Sequence, residues 1–115
     1  MIKKENRLKK PRQIKMVFDK GRSISGGFFK IRLFKKFARF ANDPSKIAVI
    51  ISKKFSKKAV ERNLAKRRIL AASARHLKNS RGFDIVVLPN KRVLTENYND
   101  MEVDFEKCLK YLLSN

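Results

Sequence analysis

Hydrophobic residues recur at helical spacing near the start of the chain. Pro11 suits the first position of a helix, and Ile14, Val17 and Phe18 follow it at intervals of three and four residues. This pattern predicts a short helix over residues 11–20.

The next segment alternates instead, as a half-buried strand does. Within residues 28–37, Phe29, Ile31 and Leu33 share one face, which we expect to pack on the core. The opposite face mixes aromatic rings with cations: Phe28, Lys30, Arg32, Phe34 and Lys36. Single-strand binders combine stacking and positive charge in this way, although these Phe residues could equally be core.

Further strands are predicted on both sides of this segment. Residues 22–27 are irregular or form a short edge strand, and residues 46–52 form a strand after the turn signal Asn42-Asp43-Pro44-Ser45. We therefore expect residues 28–52 to form a hairpin with a long loop. Residues 83–88 are apolar at nearly every position, which is typical of a strand buried on both faces.

Two more helices complete the pattern. Residues 56–78 contain no Gly or Pro and predict one long helix, with Ser56 as its N-cap. Its uninterrupted apolar stripe is the better candidate for packing on the sheet: Ala65, Ile69, Ala72 and His76. Asn99 or Asp100 can cap a last helix, whose stripe is Met101, Phe105, Cys108, Leu109 and Leu112.

These elements predict an α+β domain in which a small four-stranded sheet packs with three helices in the order αβββαβα. The 115 residues suit a single domain over residues 1–115, with a mobile basic arm at about 1–9. No apolar run is long enough to cross a bilayer and no secretory signal is visible, so we expect a cytoplasmic protein without a membrane partner.

The net charge of the chain indicates what kind of partner it binds. The net charge is +20, from 30 Lys and Arg against 10 Asp and Glu. The acids cluster late, so residues 96–115 carry a net −3 and residues 1–95 a net +23. Charge of this density favours a polyanionic partner, above all nucleic acid.

The sequence offers little for catalysis or metal binding by the protein itself. One cysteine, Cys108, and one histidine, His76, exclude a disulfide framework and a Cys/His zinc site within one chain. The acids form no evident general acid and base pair, and the four glycines form no phosphate loop. We expect no catalytic residue, metal site or cofactor bound by the protein alone, and no obligate protein partner is evident.

The long helix concentrates the cations. If its uninterrupted stripe packs on the sheet, Asn63 and Arg67 point outward, flanked by Arg62 and Lys66. Arg can bridge two phosphate oxygens, Lys supplies a mobile charge, and Asn can donate and accept hydrogen bonds. We therefore prefer RNA contact to a merely solvated helix face.

The spacing of this region resembles the protein subunit of bacterial ribonuclease P. Three runs carry the resemblance: Ser52-Lys53-Lys54, Ala59-Val60-Glu61-Arg62-Asn63 and Lys66-Arg67-Arg68-Ile69. The stretch from Leu8 through Gly21 and the strand at 83–87 are also similar, so the resemblance covers about residues 7–113.

The resemblance implies an RNA partner and separate roles for the RNA and the protein. In that family a large catalytic RNA, with bound magnesium, removes the single-stranded 5′ leader of precursor tRNA, and the protein is not itself the catalyst. It also implies a left-handed βαβ crossover. The residues implied to contact the catalytic RNA are Lys53, Lys54, Lys57, Arg62, Asn63, Lys66, Arg67 and Arg68. The residues expected to contact the leader, in a cleft between the first helix and the sheet, are Lys10, Ile14, Phe18, Lys30, Arg32 and Phe34. Of these, Lys30 and Phe34 come from the alternation of residues 28–37 and not from the resemblance.

The chain departs from the family pattern at four positions. Leu64 and Leu70 stand where basic residues are usual, and Ile14 and Arg32 stand where aromatic residues are often found. A structural RNA-binding protein of ribosomal type is the alternative function, because it would share the charge and the fold without needing a leader cleft. A nonspecific DNA-compacting protein fits less well with one compact core and no repeats.

Overall fold

The computed structural model describes residues 2–114. Its four α-helices and four strands follow one another as α1 Pro11–Lys20, β1 Arg22–Ser25, β2 Phe29–Lys35, β3 Lys46–Val49, α2 Ala59–Leu77, β4 Phe83–Pro89, α3 Arg92–Thr95 and α4 Tyr98–Ser114. Two short 3-10 turns lie at Lys4–Asn6 and Ala38–Phe40. The α+β class and the αβββαβα order are confirmed, with the short α3 as an addition that the sequence pattern did not predict.

The four strands form one mixed sheet in the order β1-β2-β4-β3. β2 pairs antiparallel with both β1 and β4, while β3 pairs parallel with β4. The predicted hairpin over residues 28–52 is therefore wrong. β4 is apolar on both sides, so it takes the interior position and separates β2 from β3. The left-handed sense of the β3–α2–β4 crossover stays a prediction from the resemblance.

One face of the sheet, which we call the main face, carries most of the core. Phe29, Ile31 and Leu33 of β2 are at most 3% exposed, as their alternation predicted. The predicted stripes of α2 and α4 cover this face. Their buried members are Ala65, Ile69, Ala72, Met101, Phe105, Cys108, Leu109 and Leu112. His76 is half-buried at the edge, with its ring 5.6 Å from that of Phe105.

Phe28 belongs to the same core and not to the opposite face. It is 6% exposed, and the guanidinium of Arg92 lies 4.7 Å from its ring centroid. β2 begins only at Phe29, so the strand alternation does not extend back to Phe28. Phe28 is therefore not one of the aromatic residues on the opposite face, and its prediction there is wrong.

The N-terminal segment differs from the predicted arm. Residues 2–9 of the predicted 1–9 are described, whereas Met1 lies outside the described residues. Ile2 and Leu8 are buried, and the Leu8 N–H donates to the Ile47 carbonyl at 2.9 Å. The buried Asn6 side chain donates to the Ser45 carbonyl at 2.7 Å. These contacts attach the segment along β3.

Helix α2 begins at Ala59, three residues later than the predicted cap at Ser56. The Ser56 hydroxyl accepts the Lys58 N–H at 3.1 Å and donates to Glu61 at 2.6 Å, which braces the turn before the helix. Helix α4, in contrast, begins at Tyr98, before the predicted caps Asn99 and Asp100. There the Asn97 side chain accepts the Asn99 N–H at 2.7 Å. Across the described part of the chain, no helix is both long and apolar enough to span a membrane.

Candidate nucleic-acid interface

Within residues 2–114, the helix that crosses the second face of the sheet is α1, and we call this face the α1 face. Val17 of α1 is fully buried, and it packs with Leu8 and Val86. The apolar side chains around this centre are only partly buried: Ile14, Phe34, Ala48, Ile50 and Leu88. One ten-residue helix therefore leaves apolar surface open on both of its flanks.

Helical geometry assigns the side chains of α1 to these flanks. At about 100° per residue, Ile14 and Phe18 lie on one side of Val17, whereas Gln13 and Met16 lie on the other. The first flank borders a cavity of about 210 Å³, which we call the Ile14 cavity. Its lining combines apolar and cationic side chains: Arg7, Leu8, Lys9, Ile14, Ile47, Ala48, Val49, Ile50, Lys66 and Leu70.

The Ile14 cavity connects two surfaces that the sequence predicted as separate sites, one for the leader and one for the catalytic RNA. Ile14 was predicted to contact the leader and Lys66 to contact the catalytic RNA, yet both line the same cavity. Leu70 also lines it. The α1 flank and the α2 surface are therefore continuous.

The other predicted leader residues divide among different places. Lys10 is exposed at the N-cap of α1, and Phe18 is 37% exposed. Lys30 is exposed on β2 opposite Leu88. Phe34 instead lines the cavity on the Met16 flank, so the structure does not bring it together with Ile14.

Arg32 has a role in the fold that its sequence context did not reveal. Its Nη2 donates to the carbonyls of Phe18 at 2.6 Å and Gly21 at 3.0 Å, and its Nε reaches that of Val17 at 3.5 Å. The last carbonyls of a helix lack intrahelical partners and carry the negative end of the helix dipole. Arg32 therefore caps the C-terminus of α1, which restricts its guanidinium from stacking on a base.

The outward face of α2 presents free cations, as predicted. Asn63, Lys66 and Arg67 are exposed, and their side chains have no hydrogen bond or ion pair within residues 2–114. Lys53, Lys54 and Lys57 are exposed just before the helix. The apolar stripe that Arg67 interrupts also faces solvent, since Val60 is 77% and Leu64 is 37% exposed.

Two arginines of the predicted set form hydrogen bonds within the protein. Arg62 donates to the Ser56 carbonyl at 2.8 Å, and Arg68 donates to the Glu96 carbonyl at 2.8 Å. Both are half-buried. Asn63, Lys66 and Arg67 are thus the members of the motif with the most freedom to contact a partner.

Burial shifts the acidity of two side chains. Burial raises the pKa of the Cys108 thiol to about 11, with the neighbouring Asp104 carboxylate adding to the shift. Burial also raises the pKa of Asp84, although the nearby Lys36 ammonium opposes this. Throughout residues 2–114, no three His, Cys, Asp or Glu side chains are grouped so as to hold a metal ion.

Sequence reasoning missed several residues around α1. Arg7 and Lys9 line the Ile14 cavity, but they fall in the segment predicted as a mobile arm. Phe37 and Phe40 are exposed on the loop after β2. The run Lys35-Lys36-Phe37-Ala38-Arg39-Phe40 interleaves cations and rings, and it was the signal that could have revealed them.

A basic α+β fold with an apolar, cation-lined cleft beside one helix and a free cationic face on another defines a class of small RNA-binding proteins. Comparison with known proteins specifies the family. The ribonuclease P family model matches residues 2–113. The chain therefore belongs to the ribonuclease P protein family.

Similar sequences and structures agree with this assignment. The chain is 37% identical over 112 residues to the ribonuclease P protein component of a Picosynechococcus species, covering 96% of this chain and 87% of that protein. It is 32% identical to the Thermotoga maritima component, covering 96% and 89%. The solved structure of the T. maritima ribonuclease P protein superposes with a TM-score of 0.74 at 27% identity, covering 91% and 96%. A Staphylococcus aureus ribonuclease P protein, at 23% identity and a TM-score of 0.75, shares the fold over 94% and 95% of the chains.

Family membership identifies the complex to which the chain belongs. The chain is a protein subunit of ribonuclease P, a ribonucleoprotein endoribonuclease of tRNA processing, and RNA binding follows from that membership.

Proposed function

We propose that this subunit contacts the catalytic RNA of ribonuclease P through α2 and holds the 5′ leader of precursor tRNA beside α1. The observation that carries the proposal is the Ile14 cavity, which Ile14 of α1 and Lys66 of α2 line together. A leader in this cavity would lie directly beside the RNA bound to α2.

The composition of the cavity suits a single strand. Ala48, Ile50 and Leu70 offer apolar surface to an unstacked base, and Arg7, Lys9 and Lys66 supply charge for the phosphates. Phe18 extends the apolar surface from the same flank of α1. This mixture favours a flexible strand over a rigid duplex, whose bases are already stacked and paired.

The α2 surface suits the backbone of a folded RNA. Asn63 and Arg67 can reach phosphate and sugar oxygens, and the exposed Val60 and Leu64 would be covered on contact. In this proposal the RNA, with its bound magnesium, carries out the cleavage. The protein contributes position and positive charge, and a cytoplasmic location follows from a precursor tRNA substrate.

The test compares precursor with mature tRNA. Phe18→Ala should weaken binding of precursor tRNA by the reconstituted holoenzyme by about 1–3 kcal/mol if a base stacks there. Binding of mature tRNA, which has no leader, should be unchanged. Val103→Ala is the matched control, because Val103 is an exposed apolar residue on α4.

A melt recorded by circular dichroism should accompany each variant, because Phe18 is partly buried. Equal losses for precursor and mature tRNA, with the fold intact, would remove the leader assignment. That result would favour a general RNA-binding surface of ribosomal type.

A further inference from the structure

The Met16 flank of α1 borders a second cavity, of about 230 Å³. It lies between α1 and the loop that joins β2 to β3, on the opposite side of Val17 from the Ile14 cavity. Its apolar lining comes from Met16, Phe34, Phe37 and Phe40. We call it the aromatic pocket.

Two rings of this pocket remain exposed on the loop that joins β2 to β3. Phe37 is 58% and Phe40 is 40% exposed, and Phe37 meets Phe34 edge to face with centroids 5.7 Å apart. A single exposed Phe is ordinary. Two exposed rings that continue into a half-buried Phe and Met are a contiguous apolar surface, which usually marks a binding site.

Backbone hydrogen bonds hold the loop in this form. The Lys36 N–H donates to the Gly82 carbonyl at 2.8 Å, and the Gly82 N–H donates to the Asp43 carbonyl at 3.0 Å. Gly82 has a φ of 91°, and a Cβ there would lie 2.9 Å from the Ala41 carbonyl oxygen. The loop therefore packs against a position that requires glycine.

Two of the lining residues form a charged pair with little exposure. Lys36 Nζ lies 3.2 Å from Asp84 Oδ1, and the two side chains are 11% and 7% exposed. Lys36 donates its hydrogen bond to the Pro44 carbonyl at 2.8 Å, while Asp84 Oδ1 accepts none with good geometry. The pocket is thus lined at its buried end by a carboxylate beside an ammonium group.

Cations surround the opening. Arg12 and Lys46 line the pocket, and the Arg39 guanidinium lies 4.8 Å from the ring centroid of Phe40. Asp43 is the other acid that lines it. Stacking rings, a donor and acceptor pair, and peripheral cations together complement a base, its hydrogen-bonding edge and its phosphates.

We propose that the aromatic pocket binds one unstacked nucleobase of an RNA strand, at a site separate from the Ile14 cavity. The base stacks against Phe37, the more exposed of the two loop rings, and its edge faces Lys36 and Asp84. The pocket is smaller than the roughly 300–1,000 Å³ of most ligand sites, which suits one ring system. The proposal rests on the proposed function only in that an RNA strand must reach α1.

Methionine methyl groups provide a direct test. The chain has three methionines, of which Met16 lines the pocket and Met101 is fully buried in the main core. Protein labelled with ¹³C at the methionine methyls is titrated with each nucleoside 5′-monophosphate and then with a short unstructured RNA. Met16→Leu assigns the resonance. The ring current of a bound base should shift the Met16 signal and leave the Met101 signal in place.

Two variants separate this site from the leader site. Phe37→Ala should abolish the Met16 shift and weaken binding of the short RNA by about 5- to 150-fold, the range expected for one stacked base. Phe18→Ala, on the other flank, should leave the Met16 shift intact. Inorganic phosphate serves as the control for purely electrostatic binding.

Three results would overturn the proposal: a Met16 signal that stays in place while RNA binds, an equal shift with phosphate alone, or a shift that Phe37→Ala does not change. Failure of the leader assignment would look different. Precursor and mature tRNA would then respond equally to Phe18→Ala, while nucleotides still shifted Met16.

Discussion

The two faces of the sheet differ in how completely they are covered. On the main face, helices of 19 and 17 residues bury Ile31, Ile85 and Val87 completely. On the α1 face, a helix of ten residues leaves Phe34, Ala48 and Leu88 partly exposed. The main face holds the larger part of the apolar core, whereas the α1 face keeps apolar and cationic groups within reach of a ligand.

The difference shows how a small basic protein can combine a stable core with an open surface. Burial of apolar area is the main favourable term in folding, so a closed main face can support the whole domain. The α1 face does not need to be closed to the same extent. Both candidate sites of the subunit, the Ile14 cavity and the aromatic pocket, lie on this less covered side.

Core substitutions should reveal the largest contrast. Ile85→Ala, on the main face, should lower the free energy of unfolding by about 2–5 kcal/mol, because it leaves a cavity in a closed core. Leu88→Ala, three residues along the same strand on the α1 face, should cost only about 1 kcal/mol because that side chain is half-exposed. Urea denaturation measures both. Equal losses would contradict the difference between the faces.

Arg32 should behave as a structural residue on the open face. Arg32→Ala should lower the free energy of unfolding by about 1.5–3 kcal/mol, since it removes a charged donor from the terminal carbonyls of α1. Lys30→Ala, on the same strand and face, should change stability by less than about 0.5 kcal/mol. Thermal melts compare the two. If Arg32→Ala kept full stability yet lost precursor tRNA binding, the leader role would replace the capping role.

On α2, ion pairing should decide which cations matter for RNA binding. Arg67→Ala should reduce the salt slope for binding the proposed partner, the catalytic RNA, by about 0.7–0.9, the value for one lost phosphate contact. Arg75→Ala should leave the slope nearly unchanged, because Arg75 donates to Glu102 of α4 at 2.6 Å. Titrations over a salt series measure the slopes. Identical slopes for the two variants would mean that Arg67 makes no phosphate contact.

The last contrast concerns the acidity of the Cys108 thiol in the core of the main face. The pKa of Cys108 is raised from 9.0 to about 11, so the folded state holds this proton more tightly than the unfolded state does. Its contribution to stability is therefore lost as the pH rises from 9.0 towards 11. At pH 8 a disulfide-exchange reagent should modify Cys108 only after unfolding in urea. Rapid modification of the native protein would show that the reagent reaches Cys108 in the folded state, which contradicts a closed main face.

Much of the local structure was determined by the sequence. The spacing of Ile14, Val17 and Phe18 predicted α1 with its observed bounds, and the stripe from Met101 to Leu112 identified the buried side of α4. Backbone periodicity alone decides which residues share a face, so these predictions needed no knowledge of partners. The cationic face of α2 followed in the same way once its apolar stripe was chosen.

Contacts between distant residues were decided only in the tertiary structure. The sequence placed β2 next to β3, but β4 separates them, because a strand that is apolar on both sides gains most from the interior of the sheet. The separation of Phe34 from Ile14 depends on where α1 crosses that sheet. No local pattern contains this information.

The same distinction applies to the charged residues of the candidate site. Composition and spacing identified Arg32, Arg62 and Arg67 as cations that could bind RNA. Only the fold shows that Arg32 and Arg62 donate to main-chain carbonyls while Arg67 stays free. A hydrogen bond depends on which carbonyl lies within about 3 Å in space, and chain folding alone sets that distance.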